Sequence, residues 1–400
     1  MALHALRWVL LLIALAPLAY YLIAIYCAWD YFREVKRAAA PAKDFAPPVS
    51  VLKPVRGMDR DAYENFASFC RQDYPQYEVL FAVADADDPV IPTIQRLRSD
   101  FPNASVRLIV GVEQLGANRK LNNLAKLAQE ARYDILIMSD SDVRVNKDYL
   151  RHVATKFANP NVGAVTAFFR GFTQGSLGAE LEALVLSTET VPNALVARKI
   201  EGKVQFAFGW TMATTKTHLR SIGGFEDMVN VHSDDFELGN RIAARGLAIE
   251  LLPVPVDMIF PQESFATYLR HELRWAIGLR NVRPSGYWGL LFTFGLPWTI
   301  LAIAIAPTFG CALGYAFAYL VLRLGQVWFT GAWGLDDPVT RKSWWLTPLR
   351  DAINFLTWIA GFFFSQIEWR GIKYRVKKGM LVPVLDSAQP VVARGDKPHN

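Results

Sequence analysis

The sequence predicts an α/β domain with a mostly parallel sheet, together with α-helical transmembrane segments. Between residues 46 and 282, short apolar runs alternate with segments of helical periodicity. This alternation is typical of βαβ units. Long uncharged runs precede and follow this region, and about 20 apolar residues suffice for a helix to cross a bilayer. Hydrophobic residues make up 52% of the chain, which is high for a fully soluble enzyme.

The central region divides into predicted elements. Strands are expected at 49–52, 78–84, 106–110 and 134–138, and helices at 63–71, 90–98 and 121–130. Phe66, Phe69 and Cys70 are expected to face inward. Because ligands bind beyond the carboxyl ends of parallel strands, Asp85 and residues 139–142 are expected in a binding site.

The first uncharged run, residues 8–29, predicts a membrane anchor. A cleaved signal peptide would have a shorter apolar region, and Arg33, Lys36 and Arg37 follow as a stop signal. Because this basic cluster lies after the span, the positive-inside rule places the following domain in the cytoplasm.

A second run without charge, 284–322, is too long for one crossing. Pro307 predicts a break, giving helices near 287–306 and 310–330, and a third run at 352–367 either crosses or re-enters. The basic segment 370–378 favours the cytoplasm. Three full crossings would place it outside, so one segment is predicted to be re-entrant or interfacial.

The predicted organisation has six parts. These are an anchor (1–32), a linker (33–48), a cytoplasmic α/β domain (49–263), an interfacial helix (264–283), membrane helices (284–369) and a basic tail (370–400). Such a chain would be a multi-pass membrane protein, in the inner membrane of a bacterium or the Golgi or endoplasmic reticulum of a eukaryote.

Several function classes are disfavoured by missing motifs. The chain has neither a G-x-G-x-x-G fingerprint nor a P-loop, which argues against dinucleotide dehydrogenases and P-loop ATPases. No zinc-finger spacing or RNA-binding aromatic signature indicates nucleic acid. The three cysteines form no C-x-x-C pair, so a disulfide framework or structural zinc is not expected. The net charge of +6 suits membrane phosphates and a nucleotide-sugar.

Asp140 and Asp142 form a D-x-D pair directly after a predicted strand. Two neighbouring carboxylates repel each other unless water solvates them or a cation bridges them, and Mg²⁺ or Mn²⁺ prefers such oxygen ligands. Taken alone, the pair is more typical of a solvated turn. Its position at the end of a strand favours a metal site.

Other acidic residues stand at probable helix starts. Asp85 is assigned to a ligand, whereas Asp87 and Asp88 are assigned to the cap of the following helix. Asp234 is predicted to cap the next acidic helix. Asp235 is a candidate general base for a hydroxyl nucleophile, or a residue that merely complements the helix dipole.

Two further segments have open interpretations. Residues 270–283 are basic and amphipathic, which suits a headgroup surface, but Arg274 is also suited to a diphosphate leaving group. Residues 178–198 are apolar enough to line a lipid entrance, or to form an ordinary packed helix.

The full set of motifs resembles a known family. The pattern D, D-x-D, D, Q/R-x-x-R-W of GT-A glycosyltransferases is matched, in order, by Asp85, Asp140, Asp142, Asp235, Arg274 and Trp275. The finer resemblance is to ceramide glucosyltransferases, glycosyltransferase family 21. It is carried by residues 51–54, 64–66, 85–89, 118–123, 140–145, 223–224 and 369–375. The resemblance covers nearly the whole chain.

The resemblance implies a GT-A fold and an inverting transfer of glucose from UDP-glucose to the primary hydroxyl of ceramide, aided by Mg²⁺ or Mn²⁺. It implies that Asp235 is the base and that Asp140 and Asp142 hold the metal. Donor-binding residues implied by it are Asp85, Lys120, Asn122, Asp140, Arg274 and Trp275. The partners are then a nucleotide-sugar, a lipid acceptor and the bilayer.

One position departs from the family pattern, because His271 stands where Gln or Arg is usual. His271 is either a donor contact or an interface residue. The alternatives for the whole chain are transfer of glucose or N-acetylglucosamine to another lipid alcohol such as a hopanoid, a processive polysaccharide synthase, or a non-catalytic membrane scaffold. The sequence does not indicate an oligomeric state.

Overall fold

A computed structural model of the protein describes residues 1–37 and 44–384. Residues 38–43, in the predicted linker, and 385–400, in the predicted tail, lie outside the described residues. The N-terminal helix continues to Arg37, beyond residue 33 where the linker was expected to begin. The Lys36 amine donates a hydrogen bond of 2.7 Å to the Trp333 carbonyl and lies 4.1 Å from that ring's centre, which holds the last helical turn in place.

The strands of the described residues form three sheets. In chain order they are β1 Val49–Pro54, β2 Tyr77–Val83, β3 Ser105–Val110, β4 Ile135–Met138, β5 Val143–Arg144, β6 Val162–Thr166, β7 Phe169–Phe172, β8 Met212–Thr215, β9 Ala248–Leu251, β10 Val256–Ile259, β11 Gln366–Trp369, β12 Ile372–Lys377 and β13 Met380–Pro383. The four predicted strands correspond to β1 through β4, with each end within two residues of its expected position.

Helices precede, connect and follow these strands. In chain order they are α1 Ala2–Ile13, α2 Ala16–Arg37, α3 Ala62–Cys70, α4 Ile91–Asp100, α5 Arg119–Glu130, α6 Tyr149–Lys156, α7 Leu177–Ala183, α8 Val191–Glu201, α9 Lys216–Ser221, α10 Asp234–Ala244, α11 Phe265–Val282, α12 Pro284–Gly289, α13 Gly295–Ile305, α14 Phe309–Val327, α15 Pro338–Ser343 and α16 Thr347–Phe363. The three predicted helices of the central region are α3, α4 and α5. Phe66, Phe69 and Cys70 are buried, as expected.

The main sheet of the described chain has seven strands in the order β3-β2-β1-β4-β8-β6-β9. Strand β1 pairs in parallel with both β2 and β4, and β3 extends this parallel part. Only β8 runs against its neighbours β4 and β6 in these described pairings. The predicted mostly parallel α/β sheet is therefore confirmed.

The parallel part of the sheet brings three strand ends to one edge. Because β1, β2 and β4 run in the same direction, Pro54, Val83 and Met138 end there together. Asp85 follows β2 and residues 139–142 follow β4. A small sheet, β5-β10-β7, continues from the second of these loops, where the Ile259 N–H donates to the Asp142 carbonyl at 3.1 Å.

The segment predicted as a basic tail from residue 370 instead contains most of an antiparallel sheet, β11-β12-β13. This sheet packs on the α/β domain: the His232 N–H donates to the Gly379 carbonyl at 2.8 Å, and the Leu381 N–H donates to the Asn230 carbonyl at 2.7 Å. The tail prediction was wrong for residues 370–383, because alternate residues of β12 such as Tyr374 and Val376 are buried while the basic ones between them face outward.

Two helical segments of the described residues are long and apolar enough to cross a membrane, namely 2–37 and 309–335. A third is possible by length if the bent pair 284–292 and 295–305, which meet at 41°, counts as one span. The helix expected over 287–306 is thus broken near residue 293 rather than continuous. Within the run predicted at 352–367, helix α16 ends at Phe363. Residues 366 and 367 are instead the first two residues of strand β11.

Candidate active site

The D-x-D loop directly follows β4 at the carboxyl edge of the sheet. Asp140 forms an ion pair with Lys120, with 2.8 Å between Oδ1 and Nζ. The Oδ1 atom of Asp142 is buried and has no hydrogen-bond partner within residues 1–37 and 44–384. Burial, and then the charges of Asp140 and Asp59, raise the pKa of Asp142 to about 7. A divalent cation would stabilise the ionised form of this carboxyl, so these residues fit a metal.

Lys120 is positioned by the start of α5. The Asn118 side chain caps this helix, accepting from the Leu121 N–H at 3.2 Å and donating to the Val231 carbonyl at 2.8 Å. The Lys120 amine thereby lies between Asp140 and Asp234, at 2.8 and 3.0 Å. Burial alone would lower the pKa of Lys120, but these two carboxylates raise it above its ordinary value.

Gly209 lies where the charged groups converge. Its N–H donates to Oδ2 of Asp235 at 2.9 Å. A Cβ atom at this position would lie 3.2 Å from Lys120 Nζ, 3.4 Å from Asp235 Oδ2 and 3.5 Å from Asp140 Oδ2. The structure therefore brings Lys120, Asp140 and Asp235 together around one point, and a side chain at residue 209 would crowd it.

Asp235 is held at the start of α10 with both oxygens engaged by backbone donors, Gly209 N–H to Oδ2 and Phe236 N–H to Oδ1. Burial, followed by the charge of Asp234, raises the pKa of Asp235 to about 6. A carboxyl with this pKa is ionised at neutral pH and is a stronger base than an ordinary aspartate.

The sequence assignment of Asp234 as the helix cap was wrong. Ser233 occupies the cap position of α10, and Asp234 is the first residue of the helix. Its carboxylate instead pairs with Lys120, as described above. Asp234 is thus a candidate site residue that the sequence analysis missed. Its position next to the candidate base Asp235 could have indicated that it belongs to the site.

Asp85 lies at the same edge of the sheet and is exposed. Its charge faces the Arg56 guanidinium. The expected capping by Asp87 and Asp88 is corrected, because Val90 occupies the cap position of α4. Asp88 is buried instead, and its carboxylate accepts from the N–H groups of Val90 (3.0 Å) and Gly57 (2.9 Å), which closes the turn after β2.

Asn122 is buried on α5, and its side chain is fully engaged with Gly116. Its Oδ1 accepts from the Gly116 N–H and its Nδ2 donates to the Gly116 carbonyl, both at 3.0 Å. This pair of bonds holds the loop that precedes α5. A direct contact between Asn122 and a donor stays a prediction.

Arg274 and Trp275 lie on α11, between the α/β domain and the apolar helices. In the part of the chain that the structure describes, the Nε atom of Arg274 is buried without a hydrogen-bond partner, and burial lowers the pKa of this guanidinium. A buried arginine with a free donor is suited to an anionic ligand. The Trp275 ring is 46% exposed and lines a cavity of about 220 Å³.

The cavity beside Trp275 has mixed chemistry. Its polar lining includes Thr188, Glu189 and Asn193, and its apolar lining includes Leu290 and Phe294. The segment 178–198 forms α7, a π-helical turn at Leu186–Thr190 and α8. Residues from this segment line the cavity on one side, so it is not only a packed helix.

Residues 9–382 match the sequence model of glycosyl transferase family 21. The chain belongs to this family. The match confirms the class of enzyme expected from the motifs, and it extends through the apolar helices and the C-terminal sheet.

Curated relatives of this family 21 chain are ceramide glucosyltransferases. Ceramide glucosyltransferase 1 of Caenorhabditis elegans is 24% identical over 362 residues, covering 86% of this chain and 75% of the relative. Ceramide glucosyltransferase 3 of the same organism is 25% identical over 230 residues, covering 57% of this chain. The aligned part spans half of that relative's length. The ceramide glucosyltransferase of Komagataella phaffii is 30% identical over 143 residues, covering 34% of this chain and 28% of the relative.

Among solved structures, a mannosyltransferase, PcManGT from Pyrobaculum calidifontis in complex with GDP-Man and Mn²⁺, is similar with a TM-score of 0.52. Sequence identity is 19%, and the similarity covers 88% of this chain and 99% of that chain. This likeness confirms the expected GT-A fold.

The family 21 site includes an arginine that the sequence analysis missed. Arg370, in the turn between β11 and β12, donates to both carboxylate oxygens of Asp59, at 3.0 and 3.3 Å. Burial opposes the charged form, but Asp59, Asp142 and Asp140 together raise the pKa of Arg370. The C-terminal sheet thus places a positive charge beside the D-x-D loop.

Proposed function

We propose that the enzyme transfers glucose from UDP-glucose to the primary hydroxyl of ceramide, with inversion at the anomeric carbon and with the aid of Mg²⁺ or Mn²⁺. The observation that carries the proposal is the convergence of Lys120, Asp140 and Asp235 around Gly209 at the carboxyl edge of the sheet. The likeness to ceramide glucosyltransferases supports this donor and acceptor.

The donor diphosphate is assigned to the D-x-D loop and its basic neighbours. Asp140 and Asp142 would hold the cation, which neutralises diphosphate charge when bound. The unpartnered Oδ1 of Asp142 supports this assignment. Arg274, whose Nε has no partner, stabilises the negative charge that grows on the departing UDP. Asp85, exposed beside Arg56, is assigned to the uridine side.

Asp235 is the proposed general base. It accepts the proton of the acceptor hydroxyl while that oxygen bonds to the anomeric carbon of glucose. The bond from this carbon to the diphosphate breaks, and UDP leaves with the electron pair. A single displacement of this kind inverts the anomeric configuration. The Lys120 amine lies 2.8 Å from Asp140 and 3.0 Å from Asp234, so its positive charge offsets the two carboxylates beside the proposed base.

The lipid acceptor is assigned to the cavity lined by Trp275. Its apolar side is formed by residues such as Leu290 and Phe294 from the apolar helices, which suits acyl chains. Its polar side, with Glu189 and Asn193, suits the amide and hydroxyl groups of a sphingoid base. Trp275, which lines this cavity, directly follows the proposed donor-binding residue Arg274 in the chain.

The contacts of the C-terminal sheet support a proposal for the membrane arrangement. Because this sheet bonds to Asn230 and His232, residues before and after the apolar helices lie on one side of the membrane. The segment 284–363 therefore makes an even number of crossings, or none. We place this side in the cytoplasm, where the positive-inside rule puts the basic end of the N-terminal anchor.

The proposal is tested with purified full-length enzyme, a panel of UDP-sugars and a panel of lipids. Glucosylceramide formed from UDP-glucose, stimulated by Mn²⁺ or Mg²⁺, is the expected result. A glycosylated hopanoid or other non-sphingoid lipid would replace ceramide as the acceptor. Release of a long polysaccharide would instead assign the enzyme to processive synthesis.

The pH dependence of turnover should report Asp235. We expect kcat to fall about tenfold per pH unit below an apparent pKa of about 6, because protonated Asp235 cannot accept the hydroxyl proton. Above that pKa the ionised base predominates and kcat reaches a plateau. Initial rates at saturating UDP-glucose, measured from about pH 5 to about pH 8, test this. A flat profile would exclude Asp235 as the titrating base.

Filling the proposed lipid cavity should separate acceptor binding from donor chemistry. We expect Leu290→Trp to lower transfer to ceramide by about tenfold or more, because an overpacked cavity excludes the lipid. Hydrolysis of UDP-glucose by water should stay the same. Leu356→Trp is the control, since Leu356 is 63% exposed on α16 and is not part of the cavity lining. Equal losses in both variants would contradict the assignment.

A further inference from the structure

His271, the departure from the family motif, lies against two glutamates and forms a cluster with them. Its Nδ1 is 3.3 Å from Glu182 Oε1 and 3.5 Å from Glu263 Oε2. Glu182 lies on α7, Glu263 precedes α11, and His271 lies within α11. One ligand atom from each residue falls within 4.8 Å of the others, so the three donors face a common centre.

Glu263 has the most deeply buried side chain of the three residues. Its side chain is only 5% exposed, and apart from the 3.5 Å contact of Oε2 with His271 Nδ1, neither carboxylate oxygen has a hydrogen-bond partner among the described residues. Its backbone is fixed, because the Glu263 N–H donates to Ser176 Oγ at 3.3 Å. Gly178 packs against this backbone, since a Cβ atom there would lie 3.2 Å from the Glu263 carbonyl oxygen. Burial disfavours the ionised form of this carboxylate unless a cation or a proton neutralises it.

The geometry of the cluster resembles a metal-binding site. Zinc binds imidazole and carboxylate at about 2.0–2.2 Å in tetrahedral geometry, which separates neighbouring ligand atoms by about 3.4 Å. The two distances from His271 Nδ1 match this separation. One imidazole and two carboxylates, with a fourth position for water, form a ligand set that suits zinc.

We propose that Glu182, Glu263 and His271 bind a Zn²⁺ ion, at a site separate from the Asp140–Asp142 cation. The ion links α7 to α11. His271 is one helical turn before Arg274, so the ion fixes the helix that presents this arginine. Its role is to position α11, and the residue that departs from the family motif supplies the nitrogen ligand.

The test measures zinc rather than transferase activity, so its outcome is independent of the proposed reaction. Full-length enzyme carrying Asp142→Ala, which disables the D-x-D site, is purified in detergent, stripped with EDTA and titrated with Zn²⁺ by calorimetry. We expect one bound equivalent. Adding Glu263→Gln should weaken that affinity by about 100-fold or more. Adding Gln262→Ala, an exposed neighbour, should leave it unchanged.

A melting experiment accompanies the titration. Without metal, Glu263→Gln should melt no lower than its parent, because the neutral amide removes a buried charge. With Zn²⁺, only the parent should gain thermal stability. If Glu263→Gln does not fold, His271→Gln gives the same comparison. No zinc bound by the parent, or equal affinity in the variants, would overturn the proposal and indicate that the two glutamates share a proton.

Discussion

We expect Asp235→Asn to lower turnover by about 10²–10⁴-fold while the affinity for UDP-glucose stays the same. Asparagine has nearly the same shape, and its Oδ1 can still accept from the Gly209 N–H, although its NH₂ group cannot accept from the Phe236 N–H. It cannot take a proton from the acceptor hydroxyl at neutral pH. The rate loss should therefore appear in kcat with ceramide, measured with radiolabelled donor, while calorimetry with UDP-glucose shows an unchanged Kd.

Asp87→Asn is the matched control for this substitution. Asp87 is an exposed aspartate near the same edge of the sheet, and its replacement should leave both kcat and Kd unchanged. Normal turnover by Asp235→Asn would mean that another carboxylate accepts the proton. Asp234 would then be the first to test, because it lies next to Asp235 and pairs with Lys120.

The second large effect is expected from Asp142→Ala. Removing this carboxylate should abolish the increase in UDP-glucose affinity that Mn²⁺ produces, a loss of about 10–100-fold or more. The physical reason is that Asp142 Oδ1 is buried and unpartnered, so its ionised form depends on a cation. Calorimetric titration of UDP-glucose, with and without Mn²⁺, measures the difference directly.

Asp87→Ala serves as the control here, because it removes a carboxylate that is exposed outside the D-x-D loop. Its donor affinity should respond to Mn²⁺ as in the unchanged enzyme. A normal Mn²⁺ response in Asp142→Ala would refute the ligand role of Asp142. The Zn²⁺ site proposed at His271 does not affect this comparison, since both variants retain it.

Much of the sheet could be predicted from the sequence because its central strands are buried on both faces. Such strands are continuous apolar runs, as in Ile135–Met138, and they are bounded by polar residues. The position of the acidic residues at the site could also be predicted, because they directly follow strands that are recognisable in the sequence. Asp140 follows a strand directly, and the sheet direction determines which edge it shares with Asp85.

Other site residues could not be predicted because their roles depend on one-residue shifts or on distant contacts. Helix α10 begins one residue earlier than the capping rule suggested, and this shift turns Asp234 from a cap into a partner of Lys120. Arg370 reaches Asp59 across 311 residues of sequence, and no local pattern records that contact. Glu263 becomes notable only when its burial is known.

The position of Arg370 after the apolar helices also determines when the site is completed during translation. The ribosome must synthesise every apolar helix before this arginine emerges, so a nascent chain has a complete D-x-D loop long before it has the guanidinium beside it. The site is therefore complete only after the last apolar helix has been synthesised. A translation product that stops before Arg370 leaves the carboxylates of Asp59, Asp140 and Asp142 without this counter-charge.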